Sequence, residues 1–250
     1  MARPATCRTA WPTNAESVPP KLTSFATPRR RALSALRAAV RALNMGTPAN
    51  PFTLAHWRRT VAEHYSAVRA AAQTDPSAGA LRFREAREAL FREHADSPIV
   101  PELRGAWPGL AWYDYDPTWR VTAAIERLAT CTEFTIDLAA DGALRCARVG
   151  RVHFEIRGNA GVLTLYWLEG YGGGLWLPFG DATNGRDTYG GGRYLYDTIK
   201  GADPGGGDDE IVLDFNYAYN PSCAYDERWS CPLSPPENRL AFAVTAGERA

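Results

Sequence analysis

Val152-His-Phe-Glu-Ile-Arg-Gly-Asn-Ala-Gly-Val-Leu-Thr-Leu-Tyr-Trp-Leu168 decides the fold. Two short runs, Val152–Arg157 and Val162–Leu168, read at a period of two and are joined across Gly158-Asn159, a turn dipeptide. Working outward, the same period recurs in Arg120–Leu128, Glu133–Leu138, Leu144–Val149, Leu175–Phe179, Thr188–Tyr189, Tyr194–Ile199, Glu210–Asn216 and Leu240–Thr245. Asp141-Gly142, Gly170 to Gly174 and Asn184-Gly185 supply further turns. Many short strands with no helix between them predict a mainly β (α+β) chain, an antiparallel β-barrel or sandwich.

Upstream of Trp119 the period is 3.6. Leu54, Trp57, Val61, Tyr65 and Val68 form one stripe of a helix from Thr53, a plausible N-cap, to about Ala72. A second helix is expected over about Gly79–His94, its surface laced with Arg–Glu pairs, and Asp96-Ser97-Pro98 closes it. These make an N-terminal helical layer before the β domain, with 45–250 expected as one domain. Neither helix carries a constellation that suggests chemistry.

The formal net charge is zero, but it is unevenly spread: residues 1–44 hold eight of the 28 Lys/Arg and one of the 28 acids. That segment is Pro/Ser/Thr-rich to residue 27 and then carries a short basic amphipathic helix, Pro28–Leu43. It reads either as a basic arm or as an extension upstream of a true start at Met45. The 250 residues, 45% hydrophobic and 22% charged, suit one globular core. No run reaches the roughly 18 apolar residues of a membrane helix, no secretory signal is visible, and five scattered cysteines are not a disulfide framework. The expectation is a cytoplasmic protein with no nucleic-acid or membrane partner.

Three motifs stand in order in the C-terminal half: Thr188-Tyr-Gly-Gly-Gly-Arg-Tyr-Leu195, Leu213-Asp-Phe-Asn-Tyr-Ala-Tyr-Asn-Pro-Ser-Cys-Ala-Tyr225 and Cys231-Pro-Leu-Ser-Pro-Pro-Glu-Asn-Arg-Leu240. Ser97-Pro98, Trp107-Pro-Gly-Leu110 and Tyr113 to Arg120 precede them. Together they resemble the bacterial family called domain of unknown function 1684, over roughly residues 51–247. The resemblance implies fold kinship and a bacterial origin. It implies no activity, cofactor or catalytic residue, so the site must be read from the residues themselves.

Glu210–Tyr217 alternates, placing Asp214 and Asn216 on one face. If buried, that pair must be hydrogen-bonded, and burial would raise the carboxyl pKa toward acid–base use; alternatively the pair ties down the following loop. Gly190-Gly191-Gly192 beside Arg193 could cradle an anion against a guanidinium fork, or serve as a strand bend. Residues 218–237 form a long loop stiffened by Pro221, Pro232, Pro235 and Pro236, expected as an ordered flap that presents Tyr219, Asn220, Glu237 and Asn238 near Asp214.

Within the flap, Cys223 and Cys231 could be reduced thiols, a disulfide or half a zinc site. No second ligand pair stands nearby for zinc, and a reducing compartment opposes the disulfide, so reduced buried thiols are expected. No nucleophile elbow is present, and the histidines are scattered. The sequence therefore predicts a cleft for a small polar or anionic molecule, lined by Tyr189, Gly191, Arg193, Tyr194, Asn216, Tyr219, Asn220 and Asn238. Asp214 and Glu237 are its carboxylates if hydrolysis occurs, and no metal or cofactor is implied. The alternative is a non-catalytic structural or protein-interaction module.

Overall fold

Capping chemistry sets where the helices begin. The computed structural model describes residues 50–138 and 142–250. The basic segment 1–44, its expected helix and Met45 lie outside them, as does Asp141 of the expected turn. Helix α1 spans Pro51–Ala71, and the Asn50 side chain accepts the Phe52 N–H at 3.0 Å. Helix α2 spans Pro76–Glu93, and Asp75 accepts the Ala78 N–H at 3.0 Å. Each starts with proline at its first position, where the missing N–H costs nothing. Both thus begin earlier than the hydrophobic stripes predicted, and Thr53 sits inside α1 rather than capping it. A single-turn helix, α3 (Pro101–Arg104), follows.

The strands are β1 (Arg120–Leu138), β2 (Gly142–Ile156), β3 (Asn159–Leu168), β4 (Gly174–Phe179), β5 (Arg193–Asp197) and β6 (Glu210–Asp214). They form one antiparallel sheet of order β5-β4-β3-β2-β1-β6, curled as a half-barrel behind the helices. The architecture is mainly β with an N-terminal helical layer.

Two pairs of expected strands are fused. Residues 120–128 and 133–138 are both β1, whose register with β2 shifts between Arg127 and Thr132. Residues 144–149 and 152–156 belong to β2, which slips against β3 between Arg148 and Gly150, while Arg157 falls in the turn that follows. Such irregularities bend a long strand without ending it, so the period-two signal lapses where the chain is still paired.

Alternation places Val152, Phe154 and Ile156 in the core with Leu163, Leu165, Leu177, Phe179, Leu195, Leu213 and Phe215. Their neighbours His153, Glu155 and Arg157 are exposed. Trp176 is fully buried, whereas Trp167 is about two-fifths exposed. A second cluster docks the helices on Tyr217 and Ala202 through Tyr65, Val68, Ala80 and Phe83.

Two expected strands are absent from the sheet. Thr188 makes only an isolated bridge to Asn184, and no strand covers Leu240–Thr245. There the backbone is satisfied otherwise: Leu240 N–H bonds Gly180 O at 2.8 Å, and the Val244 carbonyl accepts from the Arg193 side chain at 2.9 Å. Among the described residues no helix is long and apolar enough to cross a membrane.

Candidate functional site

The residues expected in one cleft are divided among five places. Arg193 is fully buried. One terminal nitrogen donates to Asp181 Oδ2 and Val244 O, each at 2.9 Å. The other donates to Ala246 O at 2.5 Å and Glu248 O at 3.1 Å. Both arms of the fork are therefore engaged by the protein itself. The glycines before it serve the same packing. Gly192 has φ +90°, and a Cβ there would stand 2.7 Å from Phe179 O; one on Gly191 would meet the Tyr189 ring at 2.6 Å. The expected anion cradle is a place where the backbone passes its own chain closely.

Asp214 and Asn216 form a second, separate network. Strand β6 stops at Asp214, whose Oδ1 accepts the Asn216 N–H at 3.1 Å and its Nδ2 at 2.9 Å, starting a 3-10 turn over Phe215–Tyr217. The strand expected to reach Asn216 ends early because that carboxylate captures the next amide. Asn216 then clasps Asp116, accepting its N–H at 3.0 Å and donating to its carbonyl at 2.9 Å. Burial pushes the Asp214 carboxyl up to about 6, against hydrogen bonds from Asn216 and the Arg120 cation.

Glu237 and Asn238 are adjacent yet face different surroundings. Asn238 is fully buried; its Oδ1 accepts Thr164 N–H at 2.8 Å, and its Nδ2 donates to Thr164 O at 2.9 Å and Pro178 O at 2.8 Å. It fastens the flap to β3 and β4. Glu237 Oε1 receives Arg148 Nε at 2.9 Å and Nη2 at 2.6 Å. Burial works to raise this carboxyl, but hydrogen bonds from its own backbone N–H and from Arg148 outweigh it and hold it below the usual range. The flap is thus ordered, but it does not bring Tyr219, Asn220, Glu237 or Asn238 into the Asp214 network.

The remaining candidates meet at two cavities. The first, of about 50 Å³, lies between the helices and the β5 edge. Tyr194, Tyr219 and Asn220 line it, joined by residues that sequence reasoning passed over: Tyr65, Arg87 and Asp197. Tyr194 and Tyr219 pair through their backbones at 2.9 and 3.1 Å. Arg87 Nη2 reaches Glu248 Oε2 at 3.2 Å, and its guanidinium stacks over Phe91 and Tyr219. Lys200 Nζ lies 3.2 Å from Asp197 Oδ2. Tyr65 Oη, Arg87 Nε, Asp197 Oδ1 and Asn220 Oδ1 are all buried without a hydrogen-bond partner among the described residues. Burial raises the Tyr65 phenol far above its ordinary value, so it remains a hydroxyl donor.

The second cavity is an open cleft of about 680 Å³ between the end of β1 and the flap. Phe134, Arg148, Tyr189, Trp229 and Glu237 line it with Cys223 and Cys231. Both cysteines are free thiols and only half-buried, less enclosed than the sequence led us to expect. Neither cavity is lined by Asp214, Arg193 or Asn216. Among the described residues, no three or more His, Cys, Asp or Glu side chains are grouped to hold a metal ion.

No curated protein matches the chain. An uncharacterized protein of Haloarcula marismortui, known from a solution NMR structure, is 36% identical to it. The match covers 68% of this chain and 91% of that one, with a TM-score of 0.49. The model of the family described as "Protein of unknown function (DUF1684)" matches residues 105–249, which hold all three C-terminal motifs and the residues of the Arg193 and Asp214 networks. The chain belongs to that family.

Proposed function

We propose that this protein binds a small polar molecule in the cavity between the helical layer and the β5 edge. The observation that carries the reading is the meeting of four unpartnered buried polar atoms, two donors (Tyr65 Oη, Arg87 Nε) and two acceptors (Asp197 Oδ1, Asn220 Oδ1), on one cavity. Each costs roughly 1–3 kcal/mol if left unsatisfied, so a bound molecule that pairs with them gains affinity from that stored cost. Arg87 and Lys200 are each matched by a carboxylate, Glu248 and Asp197. The balance favours a neutral or zwitterionic ligand over an anion. Aromatic walls from Trp57, Phe91 and Tyr219 suit a compact molecule with an apolar side.

Hydrolysis by an Asp214–Glu237 pair finds less support, because the two carboxylates belong to separate hydrogen-bond networks. The function is therefore read as binding. A thermal-shift panel of small amino acids and amides tests it, with Tyr65→Phe as the decisive variant. Removing a buried hydroxyl that has no internal partner should relieve its desolvation cost and stabilise the free protein by roughly 1–3 kcal/mol. The same change should weaken an active probe about tenfold, the worth of one hydrogen bond. If no probe raises the melting temperature, or if Tyr65→Phe weakens the free fold by more than about 1 kcal/mol, the reading is overturned.

A further inference from the structure

We propose that Cys223 and Cys231 form a working dithiol that reduces small organic disulfides in the cleft between the flap and β1. The two thiols are eight positions apart in sequence but adjacent in space: the Cys223 N–H donates to Cys231 Sγ at 3.4 Å, and the Tyr189 hydroxyl lies 3.5 Å from Cys223 Sγ. All three line the same cleft, whose volume suits a small-molecule site. Phe134, Trp229 and Leu233 provide apolar walls, and the Arg148–Glu237 ion pair provides a polar flank. A disulfide with an apolar middle and zwitterionic ends matches that lining. Prolines at 221, 232, 235 and 236 surround the pair and hold the loop preorganised.

The two cysteines are electronically unequal, as an attacking and a resolving thiol must be. The Cys231 thiol and then the Tyr189 hydroxyl donate hydrogen bonds to Cys223, holding it well below the usual thiol range despite burial. Cys231, as the donor, is pushed up. Burial and the contact with Cys223 raise Tyr189 to about 12, so it remains protonated and able to donate at neutral pH.

In the first step the Cys223 thiolate attacks one sulfur of the substrate RS–SR. The S–S bond breaks, a Cys223–S–SR bond forms, and RS⁻ departs to be protonated. Cys231 then attacks Cys223 Sγ, closing the intramolecular disulfide and expelling the second RS⁻, which takes up the proton Cys231 has lost. The protein dithiol loses two electrons and RSSR becomes two RSH.

Oxidised glutathione is the probe, followed by intact mass and peptide mapping. The wild-type protein should acquire a Cys223–Cys231 disulfide, release two equivalents of glutathione thiol and accumulate no adduct. Cys231→Ser should trap glutathione on Cys223, and Cys223→Ser should leave Cys231 at least tenfold slower to react. Within the wild type, iodoacetamide at neutral pH should label Cys223 before Cys231, an order that needs no variant to fold. Tyr189→Phe should move the pH midpoint of Cys223 labelling upward without changing the melting temperature. Equal labelling of the two thiols, a stable wild-type glutathione adduct at either one, or no reaction beyond that of free glutathione would overturn the proposal. Each of these outcomes is independent of the cavity beneath the helices.

Discussion

At the residue scale, the buried polar side chains mostly act as ties, and their energetics can be tested one by one. Asp214, whose side chain is 6% exposed, holds its proton up to a pH of about 6 in the folded protein, against an ordinary value of 3.8. Between those two values the folded state keeps a proton that the unfolded chain has lost, so rising pH destabilises the fold. The loss is about 1.4 kcal/mol per pH unit and about 3 kcal/mol across the window. Below 3.8 the penalty is absent, and above about 6 it is constant. Asp214→Asn keeps the Oδ1 acceptor for Asn216 and cannot titrate. Urea unfolding at stepped pH should therefore show the variant gaining about 3 kcal/mol on wild type between pH 4 and pH 7; parallel curves would mean that the carboxylate is better solvated than its burial indicates. The polar pair was visible in the alternation of Glu210–Tyr217. Its use as a tie for the following chain was also open to a local reading, since Asp214 takes the Asn216 amide two residues on; the Asn216 clasp on Asp116, a hundred residues upstream, is what no local pattern can point to.

At the element scale, alternation and turn chemistry made the sheet legible, and the misread boundaries have physical causes. The helices began early because Asn50-Pro51 and Asp75-Pro76 cap more strongly than the hydrophobic stripes signal. Strands β1 and β2 were each read as two because their irregularities interrupt the period without breaking the pairing. Residues 240–245 alternate like a strand, yet Arg193 takes the Val244 carbonyl that a neighbouring strand would otherwise use. The triple glycine offers a controlled test. Gly158, at φ +72° in the β2–β3 turn, has nothing within 4 Å of an added Cβ, whereas Gly192, at φ +90°, has Phe179 O at 2.7 Å and Ser234 Cβ at 2.8 Å. Gly158→Ala should cost only the left-handed strain, roughly 1–2 kcal/mol. Gly192→Ala adds a backbone clash and should cost about 3 kcal/mol or more. Urea midpoints measure both, and equal costs would mean that β4 gives way at no expense.

At the scale of the whole molecule, the helical layer and the sheet are joined through a buried ion pair that sequence reasoning could not see. Arg87 looked like one of several arginines on α2, where the neighbouring Arg92–Glu88 pair is indeed an ordinary surface bridge. Its partner, Glu248, stands 161 residues away and is 1% exposed. Glu248 also accepts the Asn220 N–H at 3.1 Å, and its own backbone N–H bonds Ala218 O at 2.8 Å. One carboxylate thus connects α2 to the flap and, through Tyr219, to β5. Glu248→Ala would leave the Arg87 cation buried without its counter-charge, a loss of about 3–5 kcal/mol. Because the damage lies between layers, native-state hydrogen exchange should show α1 and α2 losing protection at lower free energy than β2 and β3, which pair along most of their length. Uniform loss across both layers would mean that the domain opens as a single unit. A cost under about 1 kcal/mol would place the pair in effective contact with solvent and would weaken the argument for a ligand beside Arg87, since its Nε would then be hydrated.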